Sequence, residues 1–209
     1  MTERLAAPET VYIGLGANLD DPRAHVERAA ADLAELPASR LEALSRLYRT
    51  APVGPADQPD YINAAARLRT RLAPRDLLRA LQAIERRHGR VRDGTRWGPR
   101  MLDLDILLFG ARRVARPGLT LPHPEIRRRA FVLVPLAEVA PGALEIPGQG
   151  RLDALLAAVP KDGVAVLAPG ATALPGSMQP APLDAVGAPD DGEPPRPAKQ
   201  EFQNKVNVL

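Results

Sequence analysis

Between residues 10 and 168 the apolar positions recur in two rhythms, one every second residue and one near every 3.6, separated by short turn signals. Thr10 to Gly16 is rich in β-forming residues and ends in a glycine turn, which predicts a strand. Pro22 to Leu36 follows with helical spacing, opened by Asp20-Asp21 and by Pro22 in the first turn. Leu41 to Thr50 and Tyr61 to Thr70 alternate in places. They predict two strands around a connection stiffened by Pro52, Pro55 and Pro59. Pro74 to His88 is the most regular helix, with Leu77, Leu78, Leu81 and Ile84 on one face and Gly89 after its end. Met101 to Phe109 reads as another strand, stopped by Gly110.

The order β-α-β-β-α-β places the chain in the α+β class. It predicts a ferredoxin-like core, a mainly antiparallel sheet flanked by helices. A helix around Phe131 to Val139, another around Leu152 to Val159 and a strand at Val164 to Leu167 extend it. The pattern stops near Pro169. Ala171 to Leu209 is rich in Pro, Gly and Ala, with few large apolar side chains, and is expected to be a disordered tail. The expected organisation is therefore a folded domain over residues 1–168 and a tail over 169–209. Lys199 to Leu209 could form a short helix or a docking peptide.

Composition narrows the chemistry. Of 28 basic residues only Lys161, Lys199 and Lys205 are Lys; against 25 acidic residues the net charge is +3. No Lys precedes position 161, which excludes a lysine-bearing P-loop, a kinase-type strand Lys and Schiff-base chemistry in that region. Cys is absent, so thiol nucleophiles and Cys-ligated metals are excluded too. The longest apolar run, Ala130 to Ala137, is far shorter than the ~20 residues that cross a bilayer. No secretory pattern opens the chain, and a cytoplasmic protein without a membrane partner is expected. The basic balance leaves nucleic acid open until the Arg positions are considered.

The sharpest motif is Asp103-Leu104-Asp105. On a strand these carboxylates share a face about 6.6 Å apart, with Leu102, Leu104, Ile106 and Leu108 expected on the other. Two like charges at that spacing repel by roughly 2–3 kcal/mol at an effective dielectric near 20. Either the face is solvated or a cation neutralises it, and hard oxygen ligands favour Mg²⁺ with substrate phosphates. Just upstream, Gly89 to Arg100 holds four Arg and three Gly in twelve residues, with Trp97 the only Trp of the chain. Arg forks suit phosphate oxygens, and the glycines ease rearrangement over a polyanion. Two acids would repel a bare phosphate backbone, so the pairing favours a Mg²⁺–polyphosphate site over nucleic acid.

Tyr61 and Asn63 share a strand face and offer a ring and a two-way amide to a flat heterocycle, or a cross-strand pair in a hairpin. His123, between Pro122 and Pro124, has a fixed direction and could meet phosphate or ribose, or solvent. His25 and His88 fall in helical patterns without an assigned role. Gly14-Leu15-Gly16-Ala17-Asn18-Leu19 starts like a dinucleotide fingerprint, but Leu19 stands where the third Gly belongs, which rejects a Rossmann site.

Taken in order, these segments resemble the 6-hydroxymethyl-7,8-dihydropterin pyrophosphokinase family from about Val11 to Pro141. The likeness rests on Gly14 to Asn18, Tyr48-Arg49-Thr50 through Asn63, Glu85 with Gly89-Arg90, Arg96 to Arg100, Leu102 to Asp105, and Pro122-His123. It implies transfer of pyrophosphate from ATP to the pterin hydroxymethyl group, with release of AMP, in tetrahydrofolate biosynthesis. By resemblance Asp103 and Asp105 hold two Mg²⁺ ions, and Arg90 and Arg100 clamp phosphates as catalytic residues. Gln82, Arg92, Trp97, Ile106, Thr120, His123 and Arg129 would contact ATP. Thr50, Val53, Tyr61, Asn63 and Phe131 would form the pterin pocket. Ala17 and Ala51 depart from residues often Ser and Pro in the family, and Asp93-Gly94-Thr95 gives the loop its own composition. A monomer that binds no nucleic acid is expected. The competing reading is a ferredoxin-like RNA-binding module, which would need strand aromatics in a basic pattern.

Overall fold

A computed structural model describes residues 7–52, 58–90 and 98–168. The central strand, β1 (Glu9–Ala17), runs antiparallel to both neighbours, β4 (Tyr61–Thr70) and β5 (Asp103–Phe109). β2 (Ser39–Leu44) and β3 (Tyr48–Thr50) both pair with β4 on its far side. β10 (Val164–Val166) closes that edge against β3. This is the antiparallel arrangement that the element order predicts, with α1 (Pro22–Ala34) and α2 (Pro74–Arg87) as its two crossovers. The tail assigned to residues 169–209 lies outside the described residues.

The helices start as their sequences suggest. The Asp21 carboxylate accepts the Ala24 amide at 3.0 Å, capping α1 beside Pro22. On one face of the sheet α1 and α2 bury Val26, Leu33, Leu77, Leu81 and Ile84 against Ile13, Leu15, Ile62, Leu68, Leu104 and Ile106. His25 and His88 meet in this seam, with their Nδ1 atoms 3.2 Å apart and His88 Nε2 2.9 Å from Asp32.

Among the described residues the other face is covered only in part. α3 (Ala130–Val139) and α4 (Leu152–Ala158) pack Leu133, Leu136, Val139 and Leu152 against Tyr12, Ala65, Leu107 and Leu108. Here the structure corrects the alternation expected for β5. Tyr12 pairs with Leu108 and Ile13 with Ile106, so Leu107 is an extra residue in the register. An inserted residue reverses the two-residue period beyond it. Leu108 therefore joins the α3 core, not the face of Leu104 and Ile106. Phe109 rejoins the first core.

A second correction concerns residues 41–50, read as one strand. The chain jogs at Ser45, whose Oγ accepts the Ala65 amide at 2.9 Å while its own amide donates to the Ala65 carbonyl at 2.8 Å. β2 ends there and β3 begins at Tyr48. Glu138 of α3 fixes the jog by accepting the Arg46 amide at 2.7 Å and the Tyr48 hydroxyl at 2.5 Å. The pairs β6 (Val114–Arg116) with β7 (Leu119–Leu121), and β8 (Glu145–Ile146) with β9 (Gly150–Arg151), are too short to show a rhythm in sequence.

Ser45 is 6% exposed, so removing its hydroxyl leaves the Ala65 amide without its acceptor in the sheet. Ser45→Ala is expected to cost about 1–3 kcal/mol, measured by urea unfolding. An unchanged midpoint would show that the jog does not depend on this side chain.

Candidate active site

Beyond the reach of α3, the same sheet face is open, and it forms the floor of a cleft of about 370 Å³. Register explains the floor. Gly14 pairs with Asp105, and Gly16 lies between Asp103 on β5 and Asn63 on β4. A Cβ at Gly14 would stand 3.2 Å from Leu107, and one at Gly16 would stand 3.1 Å from the Asn63 amide oxygen. The glycines that mimic a dinucleotide fingerprint are instead the low central strand of this cleft. The strand pattern contains that signal, since they occupy alternate positions on the face that Val11, Ile13 and Leu15 leave free.

At one end sits a compact set of charges. Arg90, just after α2, donates to both Glu85 and Asp103. Arg100 donates to the second Asp103 oxygen at 2.6 Å. Glu85, 2% exposed, also accepts the Leu104 amide at 2.9 Å and so ties α2 to β5. Glu85 is part of the family likeness but has no role assigned by it above; an acid beside Leu81 and Ile84 on the buried face of a helix is the signal that marks a paired group. Burial alone would lower Arg90, but Asp103 and Glu85 outweigh it and hold the guanidinium above its ordinary value.

Three carboxyls, Glu85, Asp103 and Asp105, thus face two guanidiniums. Asp105 carries the imbalance. Desolvation, then the charges of Asp103 and Glu85, push its carboxyl up to about 7. Its side chain keeps 47% of its surface open, so this is the desolvation of a cleft wall and not of a sealed core. His123 Nε2 stands 3.8 Å from Asp105. Burial, followed by the Arg129 guanidinium, lowers the imidazole and keeps it neutral at neutral pH. Its Nδ1 accepts the Glu125 amide at 3.2 Å, so the proton resides on Nε2, toward Asp105.

The other end is built mainly from neutral side chains, with the Arg129 guanidinium beside them. The Asn63 amide donates to the Thr50 hydroxyl at 2.8 Å, both groups buried. Tyr61 donates to the Gly98 carbonyl at 3.1 Å. Phe131, at the start of α3, lies under the Arg129 guanidinium, 5.6 Å from its ring centre. The jog at Ser45 and the Glu138 contacts set α3 against β3, and Phe131 and Thr50 line the same cleft.

Ten of the sixteen residues expected in a site line this one cleft: Arg90, Arg100, Asp103, Asp105, His123, Arg129, Thr50, Tyr61, Asn63 and Phe131. Val53, Arg92 and Trp97 lie outside the described residues. Three others are not in its lining. Ile106 is buried under the helices, Gln82 is half-buried on α2, and Thr120 is exposed on β7, lining a separate shallow depression with Arg113 and Gln149. Among the described residues no group of three or more His, Cys, Asp or Glu could hold a metal by itself. Asp103 and Asp105 would supply two carboxylates and leave the remaining positions to a ligand and water, which suits Mg²⁺.

Residues 12–141 match the family model for 7,8-dihydro-6-hydroxymethylpterin-pyrophosphokinase. The chain is similar to 2-amino-4-hydroxy-6-hydroxymethyldihydropteridine pyrophosphokinase of Pseudomonas aeruginosa, 53% identical over 78% of this chain and 99% of the relative. It is also similar to the protein of that name in Haemophilus influenzae, 47% identical over 63% of this chain and 81% of the relative. A solved structure, Plasmodium falciparum HPPK-DHPS with pteroate, shares the fold at a TM-score of 0.58 and 13% identity, over 75% of this chain. The present chain spans 43% of that longer one.

The Asp105 carboxyl has a consequence for stability. In the folded protein it keeps its proton to about pH 7, whereas the unfolded chain releases it near 3.8. Over that window the unfolded state binds fewer protons, so stability falls as pH rises. Asp105→Asn imitates the protonated acid. It should match the wild type at about pH 4 and exceed it at about pH 8 by on the order of 1 kcal/mol, reduced from the full linkage value because the group is half open. Urea unfolding at the two pH values measures this. A variant without a pH-dependent gain would show that the carboxyl is not raised.

Proposed function

The chain belongs to the 7,8-dihydro-6-hydroxymethylpterin-pyrophosphokinase family, and from that membership we propose that the cleft brings ATP and its pterin acceptor together over the Asp103–Asp105 face. The enzyme transfers pyrophosphate from ATP to the hydroxymethyl group of 6-hydroxymethyl-7,8-dihydropterin in folate biosynthesis. The hydroxymethyl oxygen forms a bond to the β-phosphorus, the bond from that phosphorus to the α-phosphate oxygen breaks, AMP leaves, and the hydroxyl proton is released.

The observation that carries this assignment of roles is the division of the cleft. The carboxyls and guanidiniums of Arg90, Arg100, Asp103 and Asp105 adjoin a set of neutral side chains, Thr50, Tyr61, Asn63 and Phe131, with Arg129 beside Phe131. The neutral end suits a pterin. Asn63 and Thr50 offer donors and acceptors to its ring edge, and Tyr61 and Phe131 offer faces on which a flat ring stacks. The charged end suits polyphosphate. Arg90 and Arg100, spread by Asp103 into fixed positions, present their remaining N–H groups to phosphate oxygens.

Asp103 and Asp105 would hold Mg²⁺, two ions in all. Bound there, the metal supplies charge neutralisation and polarises phosphoryl oxygens. The protein's own part is positioning: hydroxyl and β-phosphorus are held in line, which turns a bimolecular encounter into an oriented one. His123 and Arg129 line the same cleft and are assigned to the nucleotide, together with Arg92 and Trp97 of the segment before Arg100. Gln82, Ile106 and Thr120 keep their ATP assignment only through backbone or rim contacts, given where their side chains lie.

In this reading residues 1–168 act as a monomeric, cytoplasmic catalytic domain, and the tail is not required for turnover. Among the described residues no helix is long and apolar enough to cross a membrane. The RNA-binding alternative is not supported: the strands lack the basic, aromatic pattern of an RNA-recognition sheet, and β5 carries Asp103 and Asp105 on the open face instead.

Protein incubated with MgATP and 6-hydroxymethyl-7,8-dihydropterin is expected to release AMP and the pterin pyrophosphate. Formation of ADP would overturn the reaction assigned. Asp105→Ala should lower turnover by about a hundredfold or more with an unchanged circular dichroism spectrum, and retention of activity would remove the metal site. Truncation after Pro169 should leave kcat within about twofold of the full chain; a larger loss would give the tail a catalytic part.

A further inference from the structure

We propose that Asn18 is a positioning residue that fastens the phosphate-side and the pterin-side segments of the cleft to one point at the end of β1. The proposal rests on the roles assigned above to Arg100 and Tyr61. Asn18 follows the last residue of β1 and is 2% exposed. Its side-chain oxygen accepts the Arg100 amide at 2.7 Å. Its side-chain nitrogen donates to the Pro59 carbonyl at 3.2 Å, with the Gln58 amide oxygen at 3.4 Å. Its backbone amide donates to the Arg100 carbonyl at 2.9 Å, and that of Leu19 does so at 3.3 Å.

Both backbone polar groups of Arg100 are therefore taken up by Asn18 and Leu19. The main chain is pinned on either side of the Arg100 Cα, and the guanidinium projects toward Asp103 from a fixed base. On the other arm, Pro59 lies two residues before Tyr61, so the same amide sets the entry of β4 into the neutral end of the cleft. Tyr61 in turn donates to Gly98, two residues before Arg100, which closes a loop of contacts between the two segments.

A turn residue would spend its side chain on its own turn. Asn18 does not: every side-chain hydrogen bond it makes spans forty residues or more of sequence. The start of α1 is capped separately by Asp21. The chemistry also selects the residue type. A short stem ending in one acceptor and one donor group is what two segments offering an N–H and a C=O require. Asp has the acceptor alone, and Ala has neither.

That difference separates the two arms. In the full chain, Asn18→Asp should keep the Arg100 contact and set a carboxylate oxygen against the Pro59 carbonyl. Calorimetric titration should then show affinity for 6-hydroxymethyl-7,8-dihydropterin weakened about tenfold, and that for a Mg²⁺-bound non-hydrolysable ATP analogue within about twofold of wild type. Asn18→Ala should weaken both about tenfold or more. The Arg100 amide resonance in ¹⁵N NMR should stay in place in Asn18→Asp and move in Asn18→Ala. A merely structural residue would give equal losses in both titrations for Asn18→Asp, or none, and either result overturns the proposal. If the wild type neither binds the pterin nor releases AMP, the pyrophosphokinase reading fails instead. The Arg100 resonance, which needs no substrate, then still decides whether Asn18 holds that segment. Should Asn18→Ala not fold, the Asn18→Asp titrations and resonance carry the decision.

Discussion

The carboxylate of Asp103, held between the guanidiniums of Arg90 and Arg100, is the interaction around which this molecule is arranged. One oxygen faces the end of α2 and the other faces the segment that leads into β5. Pairing it satisfies both arginines in part and leaves their remaining N–H groups fixed in direction. It also leaves Asp105 and Glu85 beside it, so the cluster around Asp103 sets three carboxyls against the two guanidiniums of Arg90 and Arg100. In the proposed reading, a divalent cation that arrives with the polyphosphate would offset that excess of carboxyls. The energetic consequence is a carboxyl raised to about 7, a local cost that the rest of the fold must offset.

The cleft exists because two packing problems have been solved at once. Leu107 is inserted in the β5 register, which turns Leu107 and Leu108 together onto the α3 face and lets the second core end abruptly. Beyond that point the face changes from leucine to glycine, asparagine and aspartate within one strand crossing. On the opposite face the apolar residues continue without interruption under α1 and α2. Among the described residues the sheet is thus supported from behind along its length and open in front at the cleft. The basic composition takes its meaning from the same layout. Arg90, Arg100 and Arg129 line the cleft. Others, such as Arg46 with Glu138 and Arg112 with Glu9, pair with acids at the surface.

Much of this arrangement is legible in the chain alone. The helical rhythm of Pro74 to His88 and the alternation of Tyr61 to Thr70 predict elements that form within a residue or two of their expected ends. Their signals are local, set by residues that neighbour one another in sequence. The break between β2 and β3 is not legible, because it depends on Ser45 bonding to Ala65 twenty residues away. Thr120, which the family likeness assigns to ATP, is exposed on the β6–β7 hairpin and lines a separate depression with Arg113 and Gln149, a placement that no local pattern announces. Asn18 reads only as part of a glycine motif, since its partners are forty and eighty residues distant.

Residue type and spacing are enough to set the element order, the shared face of Asp103 and Asp105, the absence of Lys and Cys chemistry in the folded region before Lys161, and the family likeness. Each depends on neighbours along one strand, helix or loop. Three outcomes belong to the folded molecule instead: which side of the sheet stays open, where the leucines of β5 change sides, and how five charged groups from α2, β5 and the segments beside them are brought together at one point. They depend on register and on desolvation, which exist only once strands far apart in the chain lie side by side.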